Sequence, residues 1–298
     1  MKGSYRAQPG ALNLALMILI SGLNGYLLWF CSHRSGWLLL GAVLAFSYSN
    51  HTMYSLLHEA IHGAFHRQNT VNDWAGRWCS GWFPTSFRLQ RCFHLTHHRN
   101  NRTESEQWDY LRPGDNHFLK MAQWYAILTG LYWIFVPLAS LLYLFLPGLL
   151  KMRVLRSSEM ASQTASDEYL GALDKLDEKG ARLDVLYSLF FQTTLFVILD
   201  LSVSGWAMCY AAFALNWSSL QYADHAFSPL DVTNGAWNLK THPLVRGLLL
   251  NYPLHRAHHQ HPTASWAELP QLVDPNEEPQ PGFLENWLRM WKGPEKRP

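Results

Sequence analysis

Cysteine is scarce in this chain and badly placed for chemistry. The four cysteines, Cys31, Cys79, Cys92 and Cys209, form no C-x-x-C pair. Their spacing supports neither a thiolate zinc site, nor an iron–sulfur cluster, nor a disulfide framework. Two lie in or beside apolar runs, where free cysteine behaves as a small buried hydrophobe. Charge is sparse too: 15% of residues are charged and the formal net charge is +2, too little to hold a nucleic-acid backbone. No homeodomain, finger or RNP-like motif is present. There is no internal repeat and no His-tag-like tract.

Apolar residues are plentiful, at 48% of 298, and unevenly spread. They gather into runs separated by polar stretches rich in histidine. That pattern argues for membrane spans plus a water-facing region, not for a soluble core. Residues 11–31 and 37–57 are each long enough to cross a bilayer, as a hairpin around His33, Arg34, Ser35 and Gly36. Lys2 and Arg6 precede the first run, as in a signal peptide. The run is longer than a signal h-region and no small-residue cleavage site follows, so a retained span is expected. Residues 58–120 are polar, with Trp74, Trp78, Trp82, Phe83 and Phe87 interleaved, as at a membrane interface. Residues 121–150 are apolar but contain Gly130, Pro137 and Pro147. Residues 183–200 and 205–221 form a second apolar hairpin, and residues 222–298 are polar, aromatic and proline-rich.

The fifteen histidines are the strongest compositional signal, and most fall in three clusters. The first is His58, His62 and then His66. Residues four apart share one helical face, so His58 and His62 can aim at one metal. The second is His94, His97 and His98; the third is His255, His258 and His259. Both have the form H-x-x-H-H, which puts three imidazoles on one face. Imidazole suits iron, zinc and copper. Eight such histidines are too many for one tetrahedral ion and suit two metals.

For the three clusters to build one site, they must share one side of the membrane. Residues 151–182 carry six Lys or Arg, which places them in the cytoplasm by the positive-inside rule. Two hairpins satisfy this only if residues 121–150 begin and end on the same side. The expected fold is therefore all-α and integral to the membrane, one domain over residues 1–298. It has four transmembrane helices in two hairpins and one re-entrant or interfacial segment. Residues 58–120 and 222–298 form a cytoplasmic, histidine-rich cap.

In order and spacing, H-x-x-x-H, H-x-x-H-H and H-x-x-H-H around hydrophobic hairpins resemble the three histidine boxes of the membrane fatty acid desaturase and hydroxylase superfamily. The resemblance covers about residues 11–262. It implies a di-iron centre bound by His58, His62, His94, His97, His98, His255, His258 and His259. The family commonly adds a histidine just past the last span, where this chain has His225. His225 is expected to face His258 or His259, with Asp224 pointing away. Asn251 is a candidate to orient a ligand or to bind through water. Asp109, Asp224 and Asp231 are candidates to accept the free N–H of ligand imidazoles. His66 and His261 are expected beside the site or at the surface. His33, His51, His117 and His242 are assigned no part in it, and no catalytic side chain is expected beyond the metal ligands.

The resemblance further implies dioxygen as co-substrate and the oxidation of an unactivated C–H bond in a lipid or fatty-acyl chain. Desaturation ranks first, with hydroxylation, ketolation and oxidative decarboxylation as alternatives. Trp82, Phe83, Phe87, Trp124 and Trp133 are candidate walls of an acyl tunnel, or else interface anchors. The electrons require a separate donor of ferredoxin, rubredoxin or cytochrome type, and Arg99, Arg102 and Arg256 are candidate cations to steer it. The chain's compactness fits bacterial members, and hence an inner membrane with the metal site on the cytoplasmic side. Two rivals come from other classes. His58-Glu59-Ala60-Ile61-His62 also matches the H-E-x-x-H of zinc metalloproteases, with Glu59 as general base, but that leaves both H-x-x-H-H clusters unexplained. A metal transporter or store would want polar groups inside spans that read as mostly apolar.

Overall fold

The computed structural model describes residues 8–152, 154 and 166–297. Lys2 and Arg6, and Arg153 and Arg156 of the basic stretch, lie outside the described residues. The architecture is helical. Its main helices are α1 (Gly10–His33), α2 (Leu38–His62), α3 (Asn69–Trp82), α4 (Phe87–Asn100), α5 (His117–Leu128) and α6 (Leu131–Phe145), followed by α7 (Glu178–Ile198), α8 (Val203–Ala223), α9 (His255–Gln260) and α10 (Phe283–Met290). One small parallel pairing, Tyr110–Leu111 with Glu295–Lys296, ties the last residues to the region after α4.

Among the described residues two helices, α1 and α7, are long and apolar enough to cross a bilayer. With 24 residues, α1 is about 36 Å long at 1.5 Å per residue, against a hydrocarbon core of about 30 Å. Its apolar side chains Ile18 and Leu19 face outward, while Asn13 and Asn24 are buried. Polar groups in such a helix must turn inward to find partners, and Asn24 donates to Asn50 Oδ1 of α2 at 3.0 Å.

α2 and α8 occupy the positions of the other expected spans but differ in kind. α2 is packed by α1, α3 and α8, and every residue from Ser49 to Ile61 is buried. A helix covered by protein can carry polar side chains provided they are paired. Thr52 Oγ1 donates to Leu248 O at 2.6 Å and Ser55 Oγ to Leu249 O at 3.0 Å, which fastens α2 to the loop before α9. α8 packs on α2, α1 and α6. The core between them is aromatic, with Tyr54, Phe83, Phe213 and Trp217 in mutual contact.

The expected embedded segment is a bent pair. α5 and α6 meet at 97° across a short break. The bend lies at Gly130, whose φ is +81°, and Pro137 is accommodated inside α6. A Cβ on Gly130 would come within 2.7 Å of Leu215 N on α8, so both the left-handed backbone and the close approach require glycine.

Candidate metal centre

Four chain segments bring histidines to one place, and each is fastened locally. α2 stops at His62 because Gly63 takes a left-handed conformation, with φ of 73°, the usual helix-ending position for glycine. Arg91 of α4, one turn before His94, donates to Ile61 O at 2.9 Å and Ala60 O at 3.2 Å. This fixes the end of α2 against α4. α4 itself starts at Ser86, whose side chain accepts from Leu89 N. Asp184 of α7 then accepts from Arg77 Nε at 2.9 Å and Arg88 Nη1 at 2.8 Å, holding α3, α4 and α7 together. α9 follows two left-handed residues, Leu250 and Asn251, and Asn238 Oδ1 accepts from Ala257 N in its first turn.

The result is two groups of imidazoles. His58, His62, His94, His98 and His258 form one; His97, His225, His255 and His259 form the other. Within each group one nitrogen per residue lies within 4.8 Å of all the rest. Closest approaches are Nε2 to Nε2: His62–His94 at 2.8 Å, His94–His98 at 3.1 Å, His98–His258 at 3.0 Å and His97–His225 at 3.2 Å. Two nitrogens each about 2.1 Å from one ion lie about 3 Å apart when they subtend a right angle. The Nε2 atoms of His58 and His259 are buried and have no hydrogen-bond partner among the described residues. Burial, and then the neighbouring imidazoles, hold His94, His98, His258 and His259 well below the usual imidazole range. They are therefore neutral, and a neutral imidazole has a lone pair to offer. Convergent imidazole nitrogens at these separations fit a cation, and the donor set fits iron.

Some imidazoles have their other nitrogen engaged. His97 Nδ1 donates to Glu106 Oε2 at 2.7 Å, and His225 Nδ1 donates to Gly235 O at 2.9 Å. Asp224 is fully buried, and among the described residues neither of its oxygens has a hydrogen-bond partner; it lies 3.5 Å from His255 Nδ1 and 3.8 Å from His225 Nε2. Asp224 thus does not point away from the histidines. α8 ends at Ala223, so helical spacing no longer separates neighbours there. His225 Nε2 lies 3.2 Å from His97 Nε2, and its ring centroid lies 4.8 and 4.9 Å from those of His255 and His259 of the third cluster.

Other expected neighbours make hydrogen bonds to groups other than the clustered imidazoles. Asp109 is committed to Arg102, whose guanidinium donates to it at 2.7 and 2.8 Å, and to Tyr222 and Phe227 N. That same pairing buries Arg102, which corrects its expected role as an exposed, steering cation. Asn251 donates to Trp266 O, His66 accepts from Gln68 N, and Asp231 accepts from Thr233 N and Asn234 N. Each is satisfied by its own turn or a neighbouring loop. Glu59, the base of the protease reading, accepts from Trp266 N at 3.1 Å. It braces α2 against the C-terminal segment, while its two flanking histidines join three others.

A cavity of about 770 Å³ opens onto the centre, and His94, His97, His225 and His255 are in its wall. The largest share of its lining comes from one face each of α5 (Leu119, Ala122, Gln123, Ala126, Ile127) and α6 (Tyr132, Phe135, Val136, Ala139, Ser140). Their 97° bend leaves the space. The expected wall residues Trp82, Phe83, Phe87, Trp124 and Trp133 are buried in the core, and none lines it. Tyr54, Gln221 and Tyr252 do; each precedes a histidine of the centre by three or four residues. Gln221 Oε1 accepts from Tyr54 OH at 3.1 Å and its Nε2 donates to Tyr252 OH at 2.8 Å.

Residues 35–292 match the model of the family described as fatty acid desaturase. No curated protein matches the chain. The match takes in every histidine of both groups, and it implies an oxidoreductase of lipids in membranes, in a family that is typically iron-dependent.

Proposed function

The chain belongs to the fatty acid desaturase family, and on that premise we propose that it uses dioxygen to oxidise an unactivated C–H bond of a lipid or fatty-acyl chain, by desaturation. Hydroxylation, ketolation and oxidative decarboxylation begin from the same hydrogen removal and are the alternatives. The observation that carries this reading is the pair of histidine groups set in the wall of a largely apolar cavity. His58, His62, His94, His98 and His258 hold one iron; His97, His225, His255 and His259 hold the other. When bound, the irons supply the redox chemistry that side chains lack.

The chain's own residues do the rest. Burial keeps His94, His98, His258 and His259 neutral, so they bind through lone pairs. Glu106 and Asp224 place carboxyl groups on the side of the four-histidine group, beside His97 and His255. Ala122, Ala126 and Ala139 leave width for a chain along the bent pair. The Tyr54–Gln221–Tyr252 floor satisfies its own hydrogen bonds, so it can face an apolar chain without an orphaned polar group.

In this reading residues 1–298 form a single domain with four spans, α1, α2, α7 and α8, and α5–α6 are embedded. The histidines then lie on the cytoplasmic side of a bacterial inner membrane, and a separate ferredoxin, rubredoxin or cytochrome delivers electrons. The test is expression in cells, mass spectrometry of extracted lipids, and metal analysis of the purified chain. A loss of two hydrogens marks desaturation, an added oxygen hydroxylation or ketolation, and a lost carboxyl decarboxylation. Unchanged lipids together with zinc in place of iron would overturn the proposal.

A further inference from the structure

Glu106 closes the short turn Glu104–Glu106. Its Oε2 accepts from His97 Nδ1 at 2.7 Å, and its Oε1 accepts from Tyr169 OH at 2.8 Å. Tyr169 comes from the separate helix Ser166–Ala172, and its ring packs on Phe93, one turn before His97, at 5.8 Å. Tyr169, Glu106 and His97 all line the cavity. A chain of two short hydrogen bonds therefore runs from the cavity wall to an imidazole of the four-histidine group.

An imidazole that gives Nε2 to a metal must keep its proton on Nδ1, and an acceptor there selects that tautomer. A carboxylate engaged at both oxygens cannot swing away from it. His97 has the shortest such contact in its group: His225 reaches Gly235 O at 2.9 Å, and His255 lies 3.5 Å from Asp224.

We propose that Glu106 and Tyr169 are positioning residues for the four-histidine half of the centre: Glu106 sets the tautomer and ring angle of His97, and Tyr169 holds Glu106. This rests on the histidines being iron ligands. The experiment is iron analysis and Mössbauer spectroscopy of the purified full chain, as wild type, Glu106→Ala, Glu106→Gln and Tyr169→Phe. Loss of the carboxylate weakens one half about 10–100-fold, so Glu106→Ala falls from about two irons toward about one per chain, with one quadrupole doublet lost. Glu106→Gln keeps an acceptor for His97 and restores the iron. Tyr169→Phe keeps both irons and shifts one doublet only. Two irons with an unchanged spectrum in Glu106→Ala overturn this proposal alone. Equal loss of both irons in the alanine and glutamine variants also overturns it, because it marks a merely structural carboxylate. Wild-type protein without iron overturns the proposed function, and this proposal with it.

Discussion

The outer pair of helices, α1 and α7, and the inner pair, α2 and α8, divide the work of the molecule. The outer pair is apolar and shows bare side chains such as Ile18, Leu19, Phe190 and Val197. It carries none of the clustered histidines. Among the described residues, the inner pair is less apolar over a bilayer-crossing length than α1 and α7. Yet α2 carries His58 and His62, and α8 ends just before Asp224 and His225. Lipid demands apolar surface only where it touches the protein. Helices screened from lipid are free to hold paired polar groups, so chemistry concentrates where the hydropathy signal is weak.

The largest expected effect breaks the inner set. His97→Ala or His258→Ala removes a neutral nitrogen from a buried group that nearby side chains cannot replace. Turnover should vanish and iron content should fall, while membrane insertion, which rests on the outer pair, is retained. His225→Ala should behave the same way. His242→Ala is the control: its ring caps a surface helix by accepting from Leu244 N, and activity should stay within about twofold of wild type, as for a surface substitution of about 0.5 kcal/mol or less. Metal analysis and lipid turnover read both; full activity in the His97 or His258 variant would contradict the ligand assignment.

How much of this was legible in the sequence follows from the range of the contacts. The box histidines declared themselves because three- and four-residue spacing is local geometry. His225 required the resemblance. Glu106 and Tyr169 were hidden: Glu106 sits nine residues from His97 across a turn, and Tyr169 sits 63 residues from Glu106. Neither distance has a period to read. Arg102 read as a surface cation because charge usually means exposure, and only its buried fork onto Asp109 corrects that. The cavity wall was misassigned for a related reason. Some large aromatics pack the core while others, such as Trp108, Tyr132 and Trp217, line the space, and which do which is set by a bent helix pair whose angle no pattern announces. The apolar runs marked all four long helices, but the contacts that cover the inner two are long-range and have no local pattern.

A smaller effect tests the packing of the inner pair. Leu56 of α2 is fully buried in the main core cluster. Truncation removes contacts that a close-packed interior cannot refill. Leu56→Ala should cost about 2–5 kcal/mol, seen as a lower unfolding midpoint in bicelles with iron content retained below that midpoint. A near-neutral result would mean that α2 is loosely held and that its polar residues owe little to a rigid surround.

The smallest effect tests the outer pair by the same deletion. Leu19 of α1 is 68% exposed, so in a bilayer its side chain touches acyl chains. Lipid is fluid and fills the space that a shortened side chain leaves, so no cavity term arises. Leu19 also contacts lipid when α1 is inserted but undocked, so the apolar transfer term cancels between the two states. Leu19→Ala should therefore shift stability by less than about 0.5 kcal/mol, measured in the same bicelles as Leu56→Ala. A loss comparable to that of Leu56→Ala would show that another protein surface, such as a second copy of this chain, covers α1 in the membrane. The division between lipid-facing and protein-covered helices would then have to be redrawn.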